Sequence, residues 1–314
     1  MKRIREEGRR THESSGYPGP PHWNRRLAAD GALVWNTAVW GATFVVVKAA
    51  LADVSPVLFL ALRFSVASLA LAPLLARQRR TSWDWRTAGA GALAGACLFT
   101  GYLTQTLGLR LTSAPKSAFI TGWSPVMVPL LASLVYRIRP RVSEVCGLLV
   151  ATAGLLIMTL KGAAGAVNPG DLLTFLCAIA FAAHIVVLGH FAERMSFEIL
   201  SVMQIAMAAV LSLALFWWVE PPHIRWRPAT IGAILVTGLF ATALAFTIQA
   251  WAQRYTTPTR TGLIYMLEPV FAWVTSFLLA GEGMSRRAAA GAVLILGGVV
   301  LVELKPLNPW RHPS

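Results

Sequence analysis

The feature that most constrains this chain is a long-range match of the sequence to itself. When the sequence is shifted by 144 residues, polar and helix-bending residues fall on identical partners: Gln105, Arg110, Thr112, Pro125, Gly147 and Gly154 on Gln249, Arg254, Thr256, Pro269, Gly291 and Gly298. General hydrophobicity would not align residues of these types. Each half contains five apolar segments, and five is an odd number. If the segments span a membrane, the second half is therefore inverted relative to the first, and a site near the middle of the bilayer is expected.

The composition favours a membrane protein. Hydrophobic residues make up 56% of the chain and charged residues only 13%, about half of what a soluble domain carries. The formal charge of +14 would suggest nucleic-acid binding on a soluble protein. Here most cations lie in loops and tails, where basic residues orient a membrane protein, so no nucleic-acid partner is expected.

The cysteines give no indication of a disulfide or a metal site. Cys97, Cys146 and Cys177 lie in apolar runs without CxxC or Cys/His spacing. Buried free cysteines commonly serve as small core residues. We therefore expect no metal and no cofactor.

The apolar segments predict an all-α membrane protein with ten transmembrane helices, arranged as two inverted five-helix repeats. About 20 helical residues cross the roughly 30 Å hydrocarbon core. The expected helices are 32–51, 56–76, 87–108, 113–136 and 142–160 in a first repeat at 32–161, and 170–189, 197–219, 228–250, 257–280 and 287–303 in a second repeat at 168–304. Polar flanks at 1–31 and 305–314 are predicted cytoplasmic tails, the first of them disordered.

The loop cations predict the orientation. With the N-terminus inside, nineteen of the 28 Lys and Arg residues lie on the inner side and seven on the outer side. This bias predicts that both termini are cytoplasmic and that the chain is integral to the plasma membrane. The lipid bilayer is thus the first expected partner.

Several short motifs resemble those of a known family. They are Trp40-Gly41-Ala42-Thr43-Phe44, Ser55-Pro56, Ala61-Leu62-Arg63-Phe64, Gly108-Leu109-Arg110, Glu268-Pro269-Val270 and Gly281-Glu282. Together they resemble the EamA-type family of the drug/metabolite transporter superfamily, with two EamA repeats. The resemblance implies ten helices, inverted repeats, and export or exchange of small metabolites such as amino acids.

Glu268 is the most informative polar residue within a predicted helix. A carboxyl group is costly in lipid unless it faces protein or a water-filled cavity, and Glu268 directly precedes Pro269. It could bind a cation or carry a coupled proton, or it could hydrogen-bond a neighbouring helix, and both interpretations remain open. Pro125, Pro129 and Pro269 are predicted helix bends.

Other polar residues in the predicted helices have competing interpretations. Gln105 and Gln249 would contact a polar solute or clamp two helices together. Lys116 and Arg260 would be entrance charges or structural anchors near the membrane surface. Lys48 could reach that surface. Arg63 lies deeper and needs a partner, so helix pairing is favoured over solute contact. His184 is more typical of a packed hydrogen-bonding residue than of a proton relay.

Aromatic residues complete the predicted site. Trp40, Tyr102, Trp123 and Tyr265 lie on helices expected to face the centre and could stack on an apolar solute. The predicted substrate cavity comprises Trp40, Tyr102, Gln105, Trp123, His184, Gln249 and Tyr265, with Glu268, Arg63 and Lys48 as coupling or polar-core residues. The glycines of the fifth and tenth helices predict a tight packing or homodimer face.

These observations predict a secondary transporter and not an enzyme. The sequence contains no HExxH, GxSxG, phosphate-loop or paired-Asp metal motif. The expected activity is export of a small amphipathic metabolite, amino-acid-like or drug-like, by alternating access, driven by a proton or a counter-substrate. The alternative is a membrane-embedded enzyme or a channel without a recognisable motif.

Overall fold

The computed structural model describes residues 22–76, 85–111, 120–137, 142–159, 168–280 and 285–303. Within these ranges ten helices follow one another. They are α1 (His22–Ala50), α2 (Pro56–Ala76), α3 (Trp85–Leu111), α4 (Ser124–Tyr136), α5 (Val142–Thr159), α6 (Pro169–Ala192), α7 (Phe197–Val219), α8 (Pro228–Ala252), α9 in two pieces (Pro258–Tyr265 and Glu268–Ala280) and α10 (Arg286–Glu303).

Helices joined by short connections make up the described part of the chain, and its only β structure is one isolated bridge between Val54 and Ile224. Four helices, α2, α6, α7 and α8, are long and apolar enough to cross a membrane, and α4 and α5 are shorter apolar helices. The all-helical membrane architecture that the composition predicted is therefore confirmed.

The two halves pack against each other in a reciprocal pattern. In the first half, α3 contacts α6 and α7, and α4 contacts α6; correspondingly, α8 contacts α1 and α2, and α9 contacts α1. Three further pairs, α2–α7, α4–α9 and α5–α10, each join one helix of the first repeat to the corresponding helix of the second repeat. Two similar five-helix units that pack face to face produce this pattern.

The first helix starts earlier than predicted. We expected residues 22–31 in the disordered tail, but α1 begins at His22. The reason is burial, because Ala29 and Leu33 are fully buried and Asp30 is only 9% exposed. Asp30 also pairs with Arg260 of α9, so these turns of α1 pack against the second half.

Two helices that we predicted as continuous are broken at equivalent positions. Residues 120–121 are helical, Gly122 and Trp123 form a turn, and α4 then starts at Ser124. Shifted by 144 residues, this turn falls on Met266 and Leu267, the turn that divides α9.

The prolines explain where the broken helices resume. Pro125 and Pro269 are each the second residue of the piece that follows the turn. A proline is tolerated in the first turn of a helix, where no amide donor is required. The predicted bends at Pro125 and Pro269 are thus complete breaks, whereas α4 continues through Pro129.

Close contact between α5 and α10 depends on their matched glycines. A Cβ atom added to Gly154 would lie 2.5 Å from the carbonyl oxygen of Gly291, and one added to Gly298 would lie 2.5 Å from that of Gly147. These contacts are equivalent under the 144-residue shift. The glycines therefore serve an intramolecular contact, where the sequence left packing and dimerisation open.

We predict that Gly154→Ala and Gly298→Ala each destabilise the protein by about 1–3 kcal/mol, because a backbone oxygen occupies the space of the new methyl group. Gly297 is the matched control, since nothing lies within 4 Å of an added Cβ there. Gly297→Ala should leave stability unchanged or slightly raised, because alanine favours helix. Thermal unfolding of the three purified variants in detergent measures the difference. Equal melting temperatures for all three would contradict the prediction.

Candidate functional site

A cavity of about 580 Å³ lies between the two halves of the chain. This volume falls within the range of small-molecule sites. Its wall is formed by residues from every helix except α7. The aromatic lining residues are Trp40, Phe59, Tyr102, Phe181, Phe246, Tyr265 and Trp273, and the principal polar ones are Arg63, Gln105, His184, Gln249 and Glu268.

The cavity extends toward one end of the helices. Its wall includes Leu51 just after α1, Pro56 at the start of α2, Thr106 near the end of α3 and Ala288 near the start of α10. The opposite end is formed by the starts of α1 and α9 and the ends of α6 and α8. Of the described residues there, none from 22–39 or 253–264 borders the cavity.

The closed end is held by buried polar contacts. The guanidinium of Arg260 donates from Nε to Asp30 Oδ1 at 3.1 Å and from Nη2 to Asp30 Oδ2 at 2.8 Å. Gln253 Nε2 donates to the carbonyl of Ile185 at 2.8 Å. Arg260, predicted near the membrane surface, is instead 2% exposed and joins α9 to α1.

Most of the residues predicted for a cavity do line this one. They are Trp40, Tyr102, Gln105, His184, Gln249 and Tyr265, together with Arg63, Glu268, Pro125 and Pro269. Trp123 is not among the lining residues. Because it belongs to the turn before α4, its position does not follow the helical register on which the prediction relied. Lys116 and the side chain of Lys48 lie outside the described part of the structure.

Arg63 of α2 is buried and bonded to α8 and α3. Its Nε donates to Thr242 Oγ1 at 2.6 Å, and its Nη2 donates to the carbonyl of Ala241 at 3.1 Å and to the hydroxyl of Tyr102 at 3.2 Å. The guanidinium also lies over the Tyr102 ring, 4.8 Å from its centroid. The partners that its depth required are therefore uncharged groups and an aromatic face.

A π-helical segment in α8 supplies two of those partners. Residues Leu239–Leu244 form this segment inside Pro228–Ala252. The hydroxyl of Thr242 donates to the carbonyl five residues earlier, at Thr237. The wider turn leaves the Ala241 carbonyl available to side chains, since it also accepts from Trp40 Nε1 at 2.9 Å. Just after the segment, the Ala245 carbonyl accepts from Asn36 Nδ2 at 2.7 Å. Segments of this type occur frequently at functional sites.

Sequence reasoning missed Asn36, Thr242 and Asp30. For Thr242 the sequence gives a weak signal. Thr237 and Thr242 stand five residues apart in a mostly apolar helix, and five residues is the hydrogen-bond spacing of a π-helix. For Asp30 the signal was an acidic residue directly before an apolar run, which we had assigned to the tail.

The polar residues on the cavity wall differ in their hydrogen bonding. His184 Nε2 lies 2.7 Å from Gln204 Oε1, and Gln249 Nε2 donates to Gln253 Oε1 at 3.1 Å. In contrast, the Gln105 amide and the half-buried Glu268 carboxyl make no hydrogen bond or ion pair with any described residue. These two groups are therefore free to contact a solute.

The comparisons with known proteins agree with this architecture. The sequence matches the EamA-like transporter family twice, over residues 28–160 and 168–304. The chain therefore belongs to the EamA-like transporter family, as its motifs indicated, and it is an integral membrane protein with two EamA repeats.

Individual relatives cover nearly the whole chain. A protein of Archaeoglobus fulgidus described as an uncharacterized transporter is 34% identical over 281 residues, covering 90% of this chain and 87% of its own. A probable terminal-alkyne amino-acid exporter of Streptantibioticus cattleyicolor is 25% identical and covers 90% and 96%, respectively. A crystal structure superposes with a TM-score of 0.75 at 21% identity, over 88% of this chain and 97% of that chain, and shows the shared fold.

We predict that Asp30→Asn destabilises the protein by about 3–5 kcal/mol, because it leaves the buried Arg260 guanidinium without its carboxylate. Asp53→Asn is the matched control, since Asp53 pairs at 3.5 Å with an Arg227 side chain that is 62% exposed. An exposed pair of this kind contributes at most about 1 kcal/mol. Chemical unfolding of both variants in detergent measures the two changes. Equal changes would show that the Asp30–Arg260 pair adds no more than a surface pair.

Proposed function

We propose that this transporter is a secondary exporter of a small amphipathic solute, amino-acid-like or drug-like, that works by alternating access. The observation that carries the proposal is the cavity between the halves. It extends toward one end only, and it combines aromatic walls with polar groups that have no partner among the described residues. A solute could enter such a cavity from one side and leave from the other only after the halves rearrange.

The wall of the cavity suits a solute with an apolar part. Trp40 packs against Tyr265 and Phe246 with ring centroids 4.8 Å and 5.4 Å apart, and Tyr102 packs against Phe181 at 5.2 Å. These contacts hold aromatic faces and edges around the space, where an apolar group would be shielded from water. The relative described as an amino-acid exporter supports the amino-acid-like class.

The loop cations and the reciprocal packing support one orientation of the protein in the membrane. We propose that the two repeats are inverted and that both termini face the cytoplasm, in the plasma membrane. The starts of α1 and α9 would then lie on the cytoplasmic side, so the described conformation would be closed to the cytoplasm and its cavity would extend toward the outside.

We assign to Glu268 the coupling of solute transport to a proton gradient. Glu268 begins the second piece of α9 directly after the break, borders the cavity, and has no partner among the described residues. The sequence contains no phosphate-loop motif, so uphill transport requires an ion or exchange gradient. A carboxyl in this position could bind a proton on one side and release it on the other.

We predict that a cysteine at position 111, at the end of α3, reacts with an impermeant reagent from outside, and that one at position 254, just after α8, reacts only from inside. Single-cysteine variants built without Cys97, Cys146 and Cys177 measure this in intact cells and in inverted vesicles. Position 111 directly follows position 110, which is equivalent to position 254 under the 144-residue shift. Inversion therefore requires positions 111 and 254 to lie on opposite sides. Labelling of both from one side would contradict the inverted arrangement.

The proposed activity itself is tested with purified protein in liposomes. Counterflow of radiolabelled hydrophobic amino acids, exchanged against a panel of unlabelled amphipathic metabolites, identifies solutes that cross. Exchange that requires the protein and saturates with solute would support a carrier. Flux that never saturates would support a channel.

We predict that Glu268→Gln abolishes concentrative transport while exchange at equilibrium persists, because the amide keeps the shape of the carboxyl but cannot ionise. A carboxyl group added to the Glu268→Gln variant by Gln105→Glu would not restore coupling, since Gln105 lies on a different helix. The measurement is pH-driven uptake and counterflow by the same reconstituted samples, with monodispersity checked by gel filtration. Full pH-driven uptake by Glu268→Gln would leave Glu268 with a structural role only.

A further inference from the structure

We infer that Arg63 binds the carboxylate of the transported solute. This inference rests on the proposed function, and it narrows the solute class to amphipathic carboxylates, including zwitterions. It differs from the role that the sequence favoured for Arg63, which was the pairing of helices.

The charge of Arg63 is not neutralised within the described protein. The residue is 4% exposed, and its three acceptors are the Thr242 hydroxyl, the Ala241 carbonyl and the Tyr102 hydroxyl. No carboxylate of the described residues lies within ion-pair distance. Burying a cation without a counter-charge is costly, so an anion that enters the cavity would be stabilised there.

The guanidinium also has a free donor at the cavity. Its Nε and Nη2 donate to the protein, whereas Nη1 makes no hydrogen bond to a described residue and is not sealed from the cavity that Arg63 lines. A carboxylate oxygen would form a short, charge-assisted hydrogen bond with this nitrogen. Arg260 differs from Arg63, because the carboxylate of Asp30 balances its charge and Arg260 does not border the cavity.

The π-helical segment fixes the guanidinium in this orientation. Thr242 Oγ1 accepts from Nε at 2.6 Å, the Ala241 carbonyl accepts from Nη2, and the Tyr102 ring lies beneath the guanidinium plane. A group held at three points before the solute arrives loses little freedom on binding. Thr242 is therefore a positioning residue, which acts on the solute through Arg63.

Two further groups of the cavity suit the rest of such a solute. The Glu268 carboxyl and the Gln105 amide line the same space and bond to no side chain or backbone group of the described residues. A carboxyl and an amide could both accept from an ammonium group. The aromatic walls would cover an apolar side chain, so a hydrophobic amino acid offers a complementary group to each part of the cavity.

The experiment compares probes that share an aromatic group and lack either the carboxylate or the amine of phenylalanine. L-phenylalanine, L-phenylalaninamide and 2-phenylethylamine share the aromatic group and the amine, and 3-phenylpropionate keeps the carboxylate but lacks the amine. Binding of each probe to the purified full-length protein is measured by competition and by thermal stabilisation. We expect phenylalanine to bind the unmodified protein about tenfold or more tightly than phenylalaninamide, because a hydrogen bond to a charged group is lost in the amide.

Arg63→Gln should lower the affinity for phenylalanine and phenylpropionate to that of the amide, and leave the amide unchanged. Should Arg63→Gln fail to fold, Thr242→Val decides the question. It removes the acceptor of Nε without touching the solute, so the acid-to-amide affinity ratio should fall several-fold. Thr247→Val is the matched control, because the Thr247 hydroxyl donates only to the Ala243 carbonyl of its own helix, and its ratio should not change.

Three results would overturn the inference. The first is that the unmodified protein binds phenylalanine and phenylalaninamide with equal affinity. The second is that Arg63→Gln lowers the affinities for phenylalanine and phenylalaninamide equally. The third is that Thr242→Val leaves the acid-to-amide affinity ratio unchanged. If no probe binds the unmodified protein, the proposed amino-acid-like solute class is wrong, and the inference falls with it.

Discussion

The satisfaction of backbone polar groups away from water is the constraint on which the rest of this structure depends. Inside a bilayer, a backbone carbonyl or amide without a partner costs several kcal/mol, so irregular backbone persists only where protein or a water-filled cavity satisfies it. Within the ten segments that we predicted as continuous helices, the described backbone departs from a regular α-helix at three places. They are the turn before α4, the turn within α9, and the π-helical segment of α8. Gly122 and Met266 of the two turns line the cavity wall. The π-helical segment lies just before Phe246, which lines the wall, and its Ala241 carbonyl accepts from Arg63, which also lines it. The cavity and the irregular backbone therefore coincide for one physical reason.

The π-helical segment shows how this constraint positions side chains. The Ala241 carbonyl, in the wider turn, accepts from Trp40 and Arg63, and the Ala245 carbonyl just after it accepts from Asn36. The three donors come from α1 and α2. The same bonds fix the orientation of an aromatic wall residue and of the buried cation. They also join the first half of the chain to the second at mid-helix. A regular α8 would have satisfied its own carbonyls, and Arg63 would then have needed a different set of acceptors.

Much of this arrangement follows from the sequence, because repeat, hydrophobic pattern and proline positions are local properties. The 144-residue match predicted ten helices, and the identical pairs Gln105/Gln249 and Pro125/Pro269 predicted residues that do border the cavity. What could not be predicted depends on contacts between distant segments. The early start of α1 requires Arg260 as a partner for Asp30, 230 positions away. The environment of Trp123 requires knowledge of the turn, and the partners of Arg63 require the π-helical segment, whose spacing differs from the 3.6-residue period used to place side chains.

The two halves share a scaffold but differ in their charges. Residues that match across the repeat, such as Gly154/Gly298 and Pro125/Pro269, form close contacts or breaks that each half needs equally.

The charged groups of the cavity do not match. Glu268 falls on Ser124 under the 144-residue shift, and Arg63 falls on Gln204 under a shift of 141. The first half thus contributes an arginine and the second half a glutamate at positions where the other half has a neutral polar residue. A symmetric scaffold explains how the protein could open to either side, but a perfectly symmetric cavity would present the same charge twice and would repel one end of a zwitterion. The unmatched positions therefore set the charge of the cavity wall. Matched residues indicate the fold, whereas Arg63 and Glu268 stand out only where the match fails.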